Sequence, residues 1–308
     1  MLIALSKLLV GMGRSLEDFN LLNTIEVIDI NSPPKSCKNL PDFPLKVGGA
    51  LGGLGFKDRP KMCGGYFRNV HYKNCYNLEG NEWIPASSMN SNRSLTSFSS
   101  SPYPSEPHKL FVAGGSEHGP FSYLSSAEVL TEHGWEILSE TLPMSISCHC
   151  SVLVNSTTVM LVGGRKQNME HSEQTFFLNT VNNVWVEGPA LKNLRAPAGC
   201  GRIRKDSQSQ EFSIIVVGGY NGTSILSSVE LLDDGAQNWR DGPEFPYEIE
   251  LAGMVEDPNG GVILVGSGDE LFQLRHSDSE WTKMVQKLQT RREYFTTFLV
   301  PDDVVDCV

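Results

Sequence analysis

The chain has 308 residues, 40% hydrophobic and 20% charged, the balance of a folded globular protein with length for two ordinary domains or one large all-β unit. A formal net charge of −11 excludes a general nucleic-acid binder, which needs basic patches to displace counterions from phosphates. No uncharged apolar run reaches the roughly 18 residues of a membrane-spanning helix, so no membrane partner is expected.

The opening MLIALSKLLVGMG has the apolar content of a weak signal peptide, but Lys7 interrupts it and no small-residue cleavage site follows. It reads instead as the start of three β-rich runs, SKLLVGMG, TIEVIDIN and CKNLPDFP. VGGALGGLGF comes next. It leads into a strand and not a helix, so it lacks the helix N-terminus that holds phosphate. Beyond it a pattern recurs: an apolar run ends in a glycine pair, and a second β-rich run follows and closes on tryptophan. The pairs begin at Gly11, Gly64, Gly114, Gly163, Gly218 and Gly266, with spacings of 53, 50, 49, 55 and 48 residues. Trp83, Trp135, Trp185, Trp239 and Trp281 follow at offsets of 19, 21, 22, 21 and 15. The first unit departs most, with Gly11-Met12-Gly13 and no tryptophan. The last has Gly266-Ser267-Gly268 and a shortened link to Trp281.

These phased copies resemble the kelch-repeat family over essentially the whole chain. The resemblance implies an all-β, six-bladed kelch-type β-propeller, each blade a four-stranded antiparallel sheet packed on its neighbours around an axis. Glycine serves there because a strand must end close to another backbone with no Cβ in the way, and tryptophan fills the wedge between blades. The glycine pairs and tryptophans are therefore scaffold.

The first blade lacks a first strand, and RREYFTTFLV after Trp281 is a first strand with no blade of its own. We expect residues 293–300 to close the ring by completing the first blade, which removes two sheet edges. The expected blades of this single domain are 1–43 with 293–300, 44–90, 91–143, 144–190, 191–246 and 247–288.

Seven cysteines leave one unpaired at least. Cys63 and Cys75 lie on strands joined by a hairpin, so a disulfide between them is expected. Two buried apolar side chains are the other reading, since Val162 and Val217 fill the Cys63 position in other blades. A disulfide would imply an oxidising compartment. The pairing of Cys37, Cys148, Cys150, Cys200 and Cys307 is left open, as is the compartment. SISCHCSV is no local metal chelate, because on a strand Cys148 and Cys150 point to one face and His149 to the other. Asn92, Asn155 and Asn221 head Asn-X-Ser/Thr sequons in loops. With 19 asparagines, roughly three sequons arise by chance, so they add nothing toward secretion.

No nucleophile elbow, phosphate-binding loop or paired-histidine motif occurs. We expect no enzyme activity, no metal and no cofactor. Function is then expected on the loops. Those joining second to third strands hold Arg14, Arg68, His71, Glu117, His118, Phe121, Tyr123, Arg165, Lys166, Tyr220 and Asn221. Those leading into first strands, on the same face, hold Arg93, Arg195, Tyr247, Arg291 and Arg292. Arginines and aromatics anchor protein interfaces, although an arginine entering a first strand also serves to hold blades together. Arg14, Arg68, Tyr123, Arg165, Arg195, Tyr220 and Arg292 are the candidate binding residues, and an acidic or phosphorylated protein segment is the expected partner.

The family resemblance adds candidate partners. Intracellular kelch proteins recruit substrates to ubiquitin ligases or bind actin. A ligase role needs a further N-terminal domain, so this chain by itself is expected to present a substrate at most, and to be a monomer unless part of a longer chain. The alternative reading is a secreted, disulfide-containing propeller, lectin-like, matrix-binding or related to galactose-oxidase-like copper enzymes.

Overall fold

Alternation along each strand decides what its two faces meet. The computed structural model describes residues 6–31, 37–55, 58–97, 110–206, 208, 211–277 and 279–307. In the fourth blade, Cys150–Asn155, Thr158–Val162, Thr175–Asn179 and Val184–Glu187 form a four-stranded antiparallel sheet in that order. On its second strand, Val159 and Leu161 pack toward the third blade, with Phe111 and Val129. Met160 and Val162 pack toward the fifth, with Ile214 and Val216. A β-strand buried on both faces reads as a continuous apolar run, as TVMLV does.

Such contacts run right round the molecule. Six apolar clusters each join two successive blades, and one of them joins the sixth blade (Val255, Ile263, Val265) to the first (Leu8, Val10, Leu299). The ring is therefore closed, with an apolar cluster between every two successive blades. The second blade comprises Gly48–Leu54, Pro60–Phe67, Cys75–Glu79 and Glu82–Ala86. The fifth has Gly199–Arg204, Phe212–Val217, Val229–Asp233 and the short Arg240–Asp241. The sixth has Gly253–Glu256, Val262–Val265, Gly268–Leu274 and the long Thr282–Glu293. For the third blade, Phe111–Ala113, Ala127–Thr131 and Gly134–Ile137 form the sheet. Residues 98–109 of the blade expected over 91–143, His108 among them, lie outside the described residues.

Closure is made by the end of the chain. Thr296–Val300 pairs antiparallel with Lys7–Gly11, from Gly11 opposite Thr296 to Lys7 opposite Val300. The closing strand starts later than residue 293. Arg292 and Glu293 still belong to the sixth blade's last strand and pair with Arg14–Ser15. The tail beyond Val300 then binds the first blade again. Asp302 Oδ1 accepts from Ser6 N (2.8 Å) and Ser6 Oγ (2.6 Å), and Lys7 Nζ donates to the carbonyls of Asp302 and Val305. Cys307 bridges to Cys37 across a sequence separation of 270.

The glycine pairs lock each blade to the next. Gly65 N donates to Arg93 O (2.9 Å), Gly115 N to Ile146 O (2.8 Å), Gly164 N to Arg195 O (3.0 Å) and Gly219 N to Ile249 O (2.7 Å). In each case the acceptor leads into the next blade. Gly64, Gly114, Gly163 and Gly218 have φ of 59° to 67°, and a Cβ on any of them would collide with that same carbonyl. Tryptophan ties in the other direction. Indole nitrogens of Trp83, Trp239 and Trp281 donate to Pro41 O (3.0 Å), Pro189 O (2.8 Å) and Pro243 O (2.9 Å) of the preceding blade.

Candidate functional site

The loops joining second to third strands and the segments leading into first strands meet on one face. Its inner ring is scaffold. Two residues before each blade's turn into its first strand, the chain carries Arg292, Val47, Arg93, Ile146, Arg195 and Ile249 in blades one to six. Arginine and apolar residues thus alternate, and all six are buried. Opposite each arginine stands a glutamate one residue into the third strand, Glu26, Glu128 or Glu230. Opposite each apolar residue stands Tyr76, Phe176 or Phe272.

The three arginines make the same bonds. Arg93 Nη1 donates to Gly114 O (2.7 Å) and Ser126 O (3.0 Å), and Nη2 donates to Glu128 Oε1 (2.9 Å). Arg195 repeats this with Gly218 O (2.7 Å), Ser228 O (3.1 Å) and Glu230 Oε1 (2.6 Å). Arg292 does so with Met12 O (3.0 Å), Thr24 O (3.0 Å) and Glu26. Burial lowers the pKa of each guanidinium while the neighbouring carboxylate raises it. Arg195 and Arg292 are 1% and 0% exposed, so a partner on the surface has nothing of them to grasp. Their physical role is to fasten a third strand to a first.

Inside this ring an axial cavity of about 190 Å3 opens among the first strands, walled by Gly49, Leu95, Cys148, Pro197, Leu251 and Tyr294 at the turns. No lining side chain carries a formal charge at neutral pH. His149 is buried and its pKa is depressed to about 4, first by desolvation and then by Arg93. Thr96 Oγ1 donates to Ala113 O (2.8 Å), so His149 Nε2 donates to Thr96 Oγ1 (3.1 Å) and Nδ1 carries no proton. Lower in the channel, Arg202 of the fifth blade spans from Val154 O of the fourth (3.0 Å) to Glu256 of the sixth (3.0 Å). Burial pushes the Glu256 carboxyl up and Arg202 pulls it down.

The outer rim of the face is different in kind. Phe19 is 67% exposed, Phe67 37%, Val70 54% and Phe121 54%, all at the ends of second strands or in the loops after them in blades one to three. These tips are held in defined turns. Phe19, Arg68, Asn69 and Met169 have positive φ, and Ser15 Oγ, Asp18 Oδ1 and Asn168 Oδ1 accept backbone N–H bonds. Arg68 lies over the Phe67 ring at 5.0 Å. Arg14 lies over Phe19 (5.8 Å) and Tyr294 (5.4 Å) but is ion-paired with Glu293, so its charge is compensated. Neither Arg68 nor Arg165 has a carboxylate within ion-pair distance among the described residues, and Arg165 Nε is buried without a hydrogen-bond partner. Arg165 lies near Tyr123, whose backbone N is held by Gln167 (2.9 Å), and it favours the Glu250 carboxylate that burial disfavours. Tyr220 stands against His171, ring centres 5.2 Å apart.

Of the seven candidate residues, then, Arg14, Arg68, Tyr123, Arg165 and Tyr220 lie on the rim and its approaches, while Arg195 and Arg292 lie within the wall. Phe19, Phe67 and Val70 share the rim but escaped the sequence reading. Cys63 and Cys75 face each other in register and are joined, Cys150 is joined to Cys200 in the next blade, and Cys148 is free. Burial pushes the Cys148 thiol up, which leaves it a poor nucleophile. Among the described residues no group of three or more His, Cys, Asp or Glu is placed to hold a metal ion.

A family model of the kelch motif matches residues 213–246. Kelch-like protein 41a of Danio rerio is 28% identical over 248 residues, 76% of this chain and 38% of that protein. Kelch-like protein 40a of Danio rerio is 30% identical over 130 residues, 40% of this chain and 20% of that protein. The chain thus spans well under half the length of these curated relatives. Among solved structures, that of YjhT superimposes with a TM-score of 0.72 at 13% identity, over 92% of this chain and 95% of that one, a likeness of fold.

Proposed function

The chain is a kelch-repeat β-propeller protein, and from that premise we propose that it is a non-enzymatic binding module that holds a protein partner on the rim of its loop face. One observation carries the reading. Phe19, Phe67, Val70 and Phe121 are exposed on turns of fixed geometry, beside Arg68 and Arg165, two cations with no carboxylate at ion-pair distance among the described residues. Aromatic and arginine side chains held rigid lose little entropy when a partner covers them. An acidic or phosphorylated segment is the partner chemistry that uncompensated arginines favour, through charge-assisted bonds. Glu250 and Glu293 stand near the channel mouth, so the acidic groups of that segment belong over blades two and four, away from the axis.

The test is a selection of displayed random peptides on the full chain, followed by binding of the enriched peptides to variants. Arg165→Ala and Phe121→Ser should each lose at least tenfold in affinity with an unchanged melting temperature, and binding should weaken as salt rises. Peptides that bind these variants and the parent equally would overturn the reading.

A further inference from the structure

The three sequons, indistinguishable in the sequence, are three different things in the fold. We infer that the protein is N-glycosylated at Asn155 and Asn221 and not at Asn92. The modification belongs to the same oxidising compartment as the three disulfides.

Asn155 ends the first strand of the fourth blade, and Asn155, Ser156 and Thr157 are all exposed at the tip of a hairpin. Its Oδ1 accepts from Thr157 N (3.0 Å) and Thr157 Oγ1 (3.1 Å). Asn221 repeats the arrangement on the loop face, where Oδ1 accepts from Thr223 N (2.9 Å), Thr223 Oγ1 (2.8 Å) and Ser224 N (2.8 Å), with Gly222 and Thr223 exposed. In both, the carboxamide oxygen is occupied by the sequon's own hydroxyl. The Nδ2 nitrogen donates to no acceptor among the described residues, so the group to be modified is free and the two neighbours an enzyme must read are accessible.

Asn92 is the opposite case. The residues that follow it, Arg93 and Ser94, are both 0% exposed. Ser94 Oγ is bonded to His71 Nδ1 (2.8 Å), and Arg93 is fastened to Glu128. Just upstream, Asn90 N and Ser91 N donate to the same Glu128 carboxylate at 2.6 Å and 3.1 Å. A glycan there would require this segment to leave the wall of the ring.

Six of the seven cysteines are joined in three bridges, Cys37–Cys307, Cys63–Cys75 and Cys150–Cys200. Such a complement is characteristic of compartments in which glycosylation occurs. The transfer needs a lipid-linked oligosaccharyl diphosphate. A bond forms between Nδ2 and the first sugar carbon, the bond from that carbon to the phosphate oxygen breaks, and the diphosphate leaves. Nδ2 gives one proton to a base of the transferring enzyme. A glycan on Asn221 would stand beside Tyr220 and leave the arc of Phe19, Phe67 and Phe121 as the open part of the rim.

The experiment is peptide mapping of the native full-length protein under non-reducing conditions, after treatment with a peptide N-glycosidase in heavy-oxygen water. Asn155 and Asn221 should appear as heavy-oxygen aspartate and Asn92 as unlabelled asparagine, with the three disulfides intact. Thr157→Ala and Thr223→Ala should each remove one glycan from the intact mass, and the double variant both. Unlabelled asparagine at position 155 or 221, or label at 92, would overturn the inference.

Discussion

At the residue scale, two buried side chains break the pattern of the ring, and each makes a prediction. Lys61 occupies a second-strand position where the other blades carry Leu9, Phe111, Met160, Ile215 and Ile263. It is 5% exposed, with no ion-pair or hydrogen-bond partner among the described residues, and desolvation lowers its pKa to about 8. Its ammonium is thus disfavoured in the folded chain relative to the unfolded one, and stability should rise with pH from about 8 toward the unfolded lysine value. Lys61→Met should stabilise the protein at pH 7 by about 2–3 kcal/mol, measured by urea denaturation, and should flatten that alkaline rise. An unchanged midpoint would mean that Lys61 is better solvated than its burial indicates.

His149 works at the acid end. Its folded pKa of about 4 lies below the ordinary histidine value of 6.5, so below about pH 6.5 the unfolded chain takes up a proton that the folded one refuses. Stability should therefore fall as pH drops from about 6.5 to 4, by about 3 kcal/mol for this group alone. His149→Asn should lose that slope in a pH series of melts. A slope identical to that of the parent would place the acid sensitivity elsewhere.

At the scale of the element, the closing strand bears the largest consequence. Thr296–Val300 supplies Phe298, Leu299 and Val300 to the two clusters that flank the first blade, and the tail beyond it holds Ser6 and Lys7. Deleting residues 296–308 uncovers the edge of Lys7–Gly11 and both apolar faces. The truncated chain should aggregate or lose its single sharp thermal transition, as scanning calorimetry would show. A transition of the parent's sharpness and temperature would mean that the ring does not depend on this strand.

This strand was legible in the sequence because a surplus run at one end matched a missing run at the other. The glycine pairs and tryptophans were legible because they recur at a spacing near that of a blade. Glu26, Glu128 and Glu230 were missed, although Arg93 to Glu128 and Arg195 to Glu230 are both 35 residues apart. That spacing was the available signal that these arginines belong to the wall. Phe19 and Phe67 left no signal, because an apolar residue in a loop has no period to betray it. Cys37 and Cys307 are neighbours only because the ring closes, and no local pattern joins positions 270 residues apart.

For the whole molecule, the closed ring turns separate loops into one surface. Blades one, three and five are fastened through arginine and glutamate, and blades two, four and six through apolar and aromatic contacts. Neither set leaves its lead-in residues free for a partner, and the recognition we propose therefore falls on the loop tips outside them. The most direct measurement of that claim is hydrogen exchange of the full chain with and without its tightest display-selected peptide. Slowed exchange at residues 17–22, 67–70, 117–123 and 165–170, with the outer strands unaffected, is the predicted result. Protection confined to the outer strands Glu82–Ala86, Gly134–Ile137 and Val184–Glu187, with those loop tips unchanged, would contradict it.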